Sequence, residues 1–194
     1  MDDSPRASAR RASLIELGRR VFAERSYDEV TTQFLAESGE MSMGLLYRYF
    51  GDKRGFYLAC LRDAAAELLG LVQFVPGPGG AGAALTSFFD AVAANPGFFR
   101  GVLRGGIGAD AEAWRIVQGV RNEIVARLFV AAGRADAGLG APPQEHLALH
   151  AWLGSVESAT LFWLDGNGVD RAAVEHLILR TLPEFLPRAP VEPS

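Results

Sequence analysis

Apolar residues recur along most of the chain at intervals of three and four, the spacing of one face of a helix. From Ala12 the pattern runs through Leu14, Ile15, Leu17, Val21 and Phe22, and it stops near Arg25–Ser26. Residues 1–5 hold two aspartates and a proline and read as a loose leader. Thr31 or Thr32 offers the side-chain oxygen that an N-cap needs, so a second, short helix carrying Phe34, Leu35 and Ala36 follows and breaks at Gly39–Glu40. Ser42 is the next cap. Leu45, Leu46, Tyr49 and Phe50 continue at helical spacing, and Gly51 ends that helix. Asp52 caps a longer helix running through Phe56, Leu58, Leu61 and Ala65 to about Phe74.

The stretch Pro76-Gly77-Pro78-Gly79-Gly80 is the clearest punctuation in the chain. Beyond it the spacing predicts helices at about 81–94, 97–104, 110–133, 143–165 and 170–186, separated by Asn95-Pro96-Gly97, Gly105 to Gly108, Gly138 to Pro143 and Gly166 to Gly168. Sustained two-residue alternation is missing, and Asp165-Gly166 sits between helical patterns rather than between strands. The fold class is therefore all-α. An N-terminal three-helix module over 1–51 leads through a connecting helix, 52–75, into a helical bundle over 76–194.

Three short helices, the last two joined by a tight turn, outline a helix-turn-helix. Phe22, Leu35, Leu46 and Phe50 are spaced to form its small core. The stretch FAERSYDEVTTQFLAESGEMSMGLLYRYFGDKRGF resembles the TetR family of regulators without a gap. That family shows Phe-Ala-Glu-Arg-Gly-Tyr, then a Thr-capped helix ending Ile-Ala, then Gly-Val-Ser-x-Gly-x-Leu-Tyr-x-Tyr-Phe-x-x-Lys. Phe22, Ala23, Glu24, Arg25 and Tyr27 match the first block. Thr31, Leu35 and Ala36 match the second, and Ser42, Gly44, Leu46, Tyr47, Tyr49, Phe50 and Lys53 the third. The resemblance implies a repressor that binds a palindromic double-stranded operator as a homodimer and is released by a small-molecule effector.

The candidate DNA contacts are Thr31, Thr32, Ser42, Met43, Gly44, Leu45, Tyr47, Arg48 and Lys53, with Arg6, Arg10 and Arg11 as an arm on the backbone or in the minor groove. Ser42 caps a helix whose first amides can face a phosphate. Tyr47 offers a hydroxyl on a rigid ring, and Lys53 a phosphate clamp. The departures are informative. Glu40 stands where the family has its turn glycine, one residue after Gly39. Met43 and Leu45 hold the base-reading positions and donate no hydrogen bond, which leaves contact with thymine methyl groups.

Charge sharpens this picture. The net charge is −4, which speaks against general affinity for nucleic acid. Between Arg6 and Arg25, however, six arginines face two glutamates, and the acidic excess lies in the later residues. A single cysteine, Cys60, flanked by leucine and alanine, reads as core. No run of 18 apolar residues suits a membrane span, so a cytoplasmic location is expected.

Residues 81–186 are apolar, acidic and aromatic. By resemblance they bind a small ligand and form the dimer, with Phe88, Phe98, Trp114, Arg121, Trp152, Glu157 and Phe162 as ligand candidates. The alternative for each aromatic is plain core packing, and for Glu157 a structural pair with Arg121 or Arg127. Small residues at Ala148, Ala151, Gly154, Ser155, Ser158 and Ala159 let another helix approach closely, and with Val174, Leu177, Ile178 and Leu182 they suit a four-helix dimer contact. His146 and His150 have metal-compatible spacing but no evident third ligand, so neither metal nor cofactor is expected. No Ser/His/Asp order, phosphate-cradling glycine loop or paired carboxylates argue for an enzyme. A helical protein-interaction module without specific DNA binding remains the alternative to a regulator.

Overall fold

A computed structural model describes residues 5–40, 42–75, 79–104, 110–134 and 136–186. The leader 1–4, most of the Pro/Gly punctuation (76–78) and the break at Gly105 to Gly108 lie outside them. The described residues form nine helices and no strand: α1 Pro5–Glu24, α2 Thr32–Ser38, α3 Met43–Phe50, α4 Lys53–Leu71, α5 Gly80–Ala94, α6 Pro96–Leu103, α7 Ala111–Ala131, α8 Pro143–Leu164 and α9 Arg171–Phe185. None is long and apolar enough to cross a membrane.

The caps explain where several helices begin. Thr31 Oγ1 accepts a hydrogen bond from Phe34 N at 3.1 Å, and Ser42 Oγ accepts one from Leu45 N at 3.2 Å. Asp52 Oδ1 accepts from Gly55 N at 2.6 Å, Asp110 Oδ1 from Glu112 and Ala113 N at 2.9 Å, and Asp170 Oδ1 from Ala173 N at 2.7 Å. Each satisfies an amide that a helix start otherwise leaves without a partner.

α1 begins well before the apolar pattern that opens at Ala12. Pro5 is tolerated in a first turn because its missing N–H has no acceptor there. The residues that follow, Arg6, Ser8, Ala9, Arg10 and Arg11, are exposed, so they leave no apolar period to read. Arg6, Arg10 and Arg11 thus ride on a helix and not on an extended arm.

The residues gather in two compact units: Met1–Glu67 with Ala94–Ile116, and Leu68–Ala93 with Val117–Ser194. The first contains α1 to α3, most of α4, α6 and the start of α7. Its core holds Leu14, Val30, Leu35, Leu46 and Phe56, each at most 2% exposed. An aromatic cluster knits it together: Phe22 meets Tyr57 edge-on at 4.9 Å and Phe50 meets Phe56 at 4.7 Å. Arg54 grips Asp110 with Nε at 2.5 Å and Nη2 at 3.1 Å, and Glu112 at 3.0 Å, while Arg62 also pairs with Glu112. These contacts fasten the start of α4 to the start of α7. They hold the Asp110 carboxyl down at about 2, the Arg54 hydrogen bond contributing most and the Ala113 amide next.

In the second unit Phe89, Leu128, Phe129 and Leu149 are almost fully buried, with Trp152, Val174, Ile178 and Leu182 around them. The indole N–H of Trp152 donates to Ile178 O at 3.3 Å, tying α8 to α9. His146 Nε2 lies 3.0 Å from Gly138 O and its ring 4.9 Å from that of Phe129. Among the described residues no group of three or more His, Cys, Asp or Glu is placed to hold a metal ion.

One contact in the first unit leaves no room for a side chain. A methyl group added at Gly18 would stand 2.5 Å from Cys60 Sγ and 2.6 Å from Phe56 Cζ. Alanine favours helix by about 1 kcal/mol over glycine, but the overpacking it introduces costs about 1–3 kcal/mol. Gly18→Ala is therefore expected to lower the urea midpoint of the intact chain with its slope unchanged; a variant as stable as the parent would show that α1 and α4 have slack between them.

Candidate nucleic-acid interface

α3 has eight residues, too few for a helix to be stable alone. Its order comes from one buried face and two closed ends. Leu46 is 0% exposed, and Phe50 is half-buried against Phe56. Ser42 closes the N-terminus, and the Gly51 amide donates to Tyr47 O at 2.8 Å at the other end, with glycine supplying the positive φ of 80°.

With that face inward, the opposite one points to solvent. Met43 is 41% exposed and Tyr47 45%, four residues apart and so on one side of the helix. Ser42, Gly44 and Arg48 are exposed beside them, and Leu45 is half-buried. Thr31, at the head of α2, is exposed, and Thr32 is half-buried. The structure thus brings Ser42, Met43, Gly44, Tyr47 and Arg48 onto one short, rigid surface. A thioether and a phenol dominate it, with the Arg48 guanidinium 5.8 Å from the ring of Tyr49.

The cations around this surface also serve the scaffold. Arg10 Nη2 donates to Gly39 O at 3.0 Å, holding α1 to the turn after α2. Arg11 lies over the Phe50 ring at 5.3 Å. The Lys53 ammonium donates to Tyr27 O at 3.0 Å and stands 4.1 Å above the Tyr27 ring. Lys53, read from sequence as a phosphate clamp, is here a brace between α4 and the loop after α1. Arg6 is exposed on the first turn of α1.

The turn of the motif carries strain. Glu40 has φ of +47°, the left-handed region, whereas Gly39 has an ordinary φ of −94°. The residue that needs glycine's freedom is the glutamate, and the glycine beside it does not use its own.

The ligand candidates divide between the two units. Phe98 (2% exposed) and Trp114 (61% exposed) belong to the first unit. Phe88, Arg121, Trp152, Glu157 and Phe162 belong to the second. There Arg121 forms a two-pronged pair with Glu157, Nε to Oε1 at 2.7 Å and Nη2 to Oε2 at 2.6 Å. Trp152 is buried, Phe88 is half-buried against the core, and Phe162 is 53% exposed.

Sequence reasoning did not find the Arg54–Asp110–Glu112–Arg62 cluster. Asp110 just before a helix carries a cap signal, but nothing in the chain pairs it with a residue 56 positions away. Gly18 was likewise missed; a lone glycine within an apolar helical pattern is the signal that marks it.

Two family profiles match the chain, one after the other in sequence. The profile described as bacterial regulatory proteins, tetR family, matches residues 14–60, and the tetracyclin repressor-like C-terminal domain matches residues 80–183. The HTH-type transcriptional repressor AcnR of Corynebacterium glutamicum is 37% identical over 63 residues, 32% of this chain and 34% of that protein. AcnR of Corynebacterium diphtheriae is 37% identical over 65 residues, 34% of each. The chain thus spans about a third of the length of these curated relatives. A tetR-family transcriptional regulator from Streptomyces coelicolor superposes with a TM-score of 0.78 at 28% identity, covering 92% of this chain and 80% of that one. The TetR family repressor AlkX from Dietzia shares the fold at a TM-score of 0.54 and 16% identity, over 95% of this chain and 97% of that one.

The strained turn generates a direct expectation. A left-handed non-glycine residue costs about 1–2 kcal/mol, partly offset by the extra freedom glycine has when unfolded. Glu40→Gly is expected to stabilise the chain by up to about 1 kcal/mol, seen as a raised melting temperature. A lowered one would mean that the Glu40 side chain contributes more than its backbone costs.

Proposed function

The chain belongs to the tetR family of bacterial regulatory proteins, and from that premise we propose that it is a DNA-binding transcriptional repressor acting as a homodimer in the cytoplasm. The observation that carries this reading is the two-faced α3: Leu46 fully buried, and Met43 and Tyr47 presented to solvent between capped ends. Regulators rather than enzymes make up the family.

In this reading α3 enters the major groove. Met43 and Leu45 meet thymine methyl groups, and the Tyr47 hydroxyl and the Ser42-capped amides grip phosphate. Arg6, Arg48, Thr31 and Thr32 contribute at the edges of the contact. Arg10, Arg11 and Lys53 act first through the scaffold, by holding the turn, Phe50 and Tyr27 in place. Glu40, exposed beside the same surface, opposes phosphate and tempers affinity.

A two-fold dimer would set two recognition helices about 34 Å apart, one turn of DNA, so the operator is palindromic. Support for the dimer lies on α8 and α9, where Leu147, Phe162 and Leu177 are 69%, 53% and 54% exposed beside exposed Ala151, Gly154, Ser155 and Ser158. Such a row lets a second helix pair approach closely. A small, largely apolar ligand is proposed to enter the second unit, with the Arg121–Glu157 pair, half-buried near the apolar core, as its polar landmark. The chain passes from one unit to the other within α4, between Glu67 and Leu68. A ligand that prefers one pose of that helix would thereby shift the equilibrium between bound and released states.

A footprint on the DNA upstream of its own gene tests this. A protected palindrome at low salt, weakened about tenfold by Tyr47→Ala and released by an extract of the host cells, is the expected outcome. Unprotected DNA at low salt contradicts DNA binding. Retained protection with Tyr47→Ala contradicts the assigned contact.

A further inference from the structure

α3 and α4 meet at a joint with little slack. Only Gly51 and Asp52 separate Phe50, the last residue of α3, from Lys53, the first of α4. A methyl group at Gly55 would stand 2.0 Å from Phe50 O, so the first turn of α4 lies against the end of α3. The Phe50 and Phe56 rings meet across the same corner at 4.7 Å, and the Phe56 amide donates to Asp52 O at 3.0 Å. A change in the direction of α4 therefore carries α3 with it.

The direction of α4 is held from the start of α7. Arg54 gives Asp110 two hydrogen bonds, Nε to Oδ2 at 2.5 Å and Nη2 to Oδ1 at 3.1 Å. Glu112 spans two arginines: its Oε2 accepts from Arg54 Nη2 at 3.0 Å and its Oε1 from Arg62 Nη2. Arg54 and Arg62 lie two turns apart, about 12 Å along the helix, so bridging them fixes tilt as well as place. Asp110 is itself held firmly. Its Oδ1 also accepts from the amides of Glu112 and Ala113 at 2.9 Å, and its side chain is only 14% exposed. Isolated surface ion pairs contribute little, but a two-pronged arginine pair inside a network is the exception. All four residues belong to the first unit, and none of them lies on α3.

We propose that Arg54, Arg62, Asp110 and Glu112 are positioning residues for DNA binding: by setting the tilt of α4 they aim the exposed face of α3. This rests on the reading of α3 as the DNA-facing helix. Its consequence runs against simple electrostatics. Removing carboxylates from a protein ordinarily strengthens its grip on DNA, because less negative charge opposes the phosphates. Here two carboxylates support binding, through the direction they give to α3 and not through contact.

The test uses the full chain in two altered forms, Asp110→Asn combined with Glu112→Gln, and Arg54→Lys. The first removes two negative charges yet keeps side-chain volume and a capping oxygen at position 110. The second keeps every charge but loses the planar fork. Binding is measured to a duplex from the DNA upstream of its own gene and to a shuffled duplex of the same length and composition. Both forms are expected to bind the upstream duplex about fivefold more weakly than the parent, and the shuffled one no more weakly. Spin labels at Arg48→Cys on α3 and Arg115→Cys on α7, both exposed positions, read the tilt in the absence of DNA. Buried Cys60 takes no label, and excess unlabelled chain confines the reading to distances within one chain. The label separation is expected to shift or broaden in both forms. An unchanged separation, an unchanged or tightened grip on the upstream duplex, or equal losses on the two duplexes overturns the positioning role. A parent that binds neither duplex overturns the DNA reading and this role with it, and the label separation then still tells whether the four residues set the tilt.

Discussion

An eight-residue helix cannot hold its own shape in water, and the DNA-facing reading of this protein depends on one that does. α3 persists because Leu46 and Phe50 are clamped against the core of the first unit and because Ser42 and Gly51 close its ends. Burying those two residues leaves Met43, Gly44 and Tyr47 no direction but outward. The solvent-facing surface of α3 is thus a by-product of how the small core is filled. Arg10, Arg11 and Lys53 reinforce the same clamp, by gripping the Gly39 carbonyl, the Phe50 ring and the Tyr27 carbonyl.

This clamp changes the weight of the charges. The chain is acidic overall, and its basic residues cluster in α1. Several of those arginines are committed to structure: Arg19 pairs with Asp63 at 3.1 Å and with Glu67, and Arg20 pairs with Glu16. Their charge is thereby partly neutralised before any DNA arrives. In the proposed role, a surface of methionine, tyrosine and helix amides, with Glu40 beside it, would select by shape and methyl contact more than by charge.

Much of the fold was legible because its signals are local. Apolar spacing located the helices to within a few residues, and Thr31, Ser42 and Asp52 announced their starts. The start of α1 was not legible, since Arg6 to Arg11 carry no apolar period. Which core a helix joins was not legible either. Phe98 and Trp114 follow the Pro/Gly break in sequence, yet they lie in the first unit, because packing partners are chosen across the chain and not along it. Phe22, Leu46 and Phe50 could be read as core from spacing alone, while the embrace of Lys53 and Tyr27, 26 positions apart, could not. The displaced glycine at 39 was visible as a departure, but only the backbone shows that Glu40 bears the strain.

The central claim is that the exposed face of α3 is the surface that meets DNA. Hydrogen–deuterium exchange of the full chain, with and without a duplex recovered from its upstream region, measures this residue by residue. Slowed exchange over residues 42–50, with α8 and α9 unchanged by the DNA, is the predicted result. Unchanged exchange at 42–50 while the DNA is bound would contradict it.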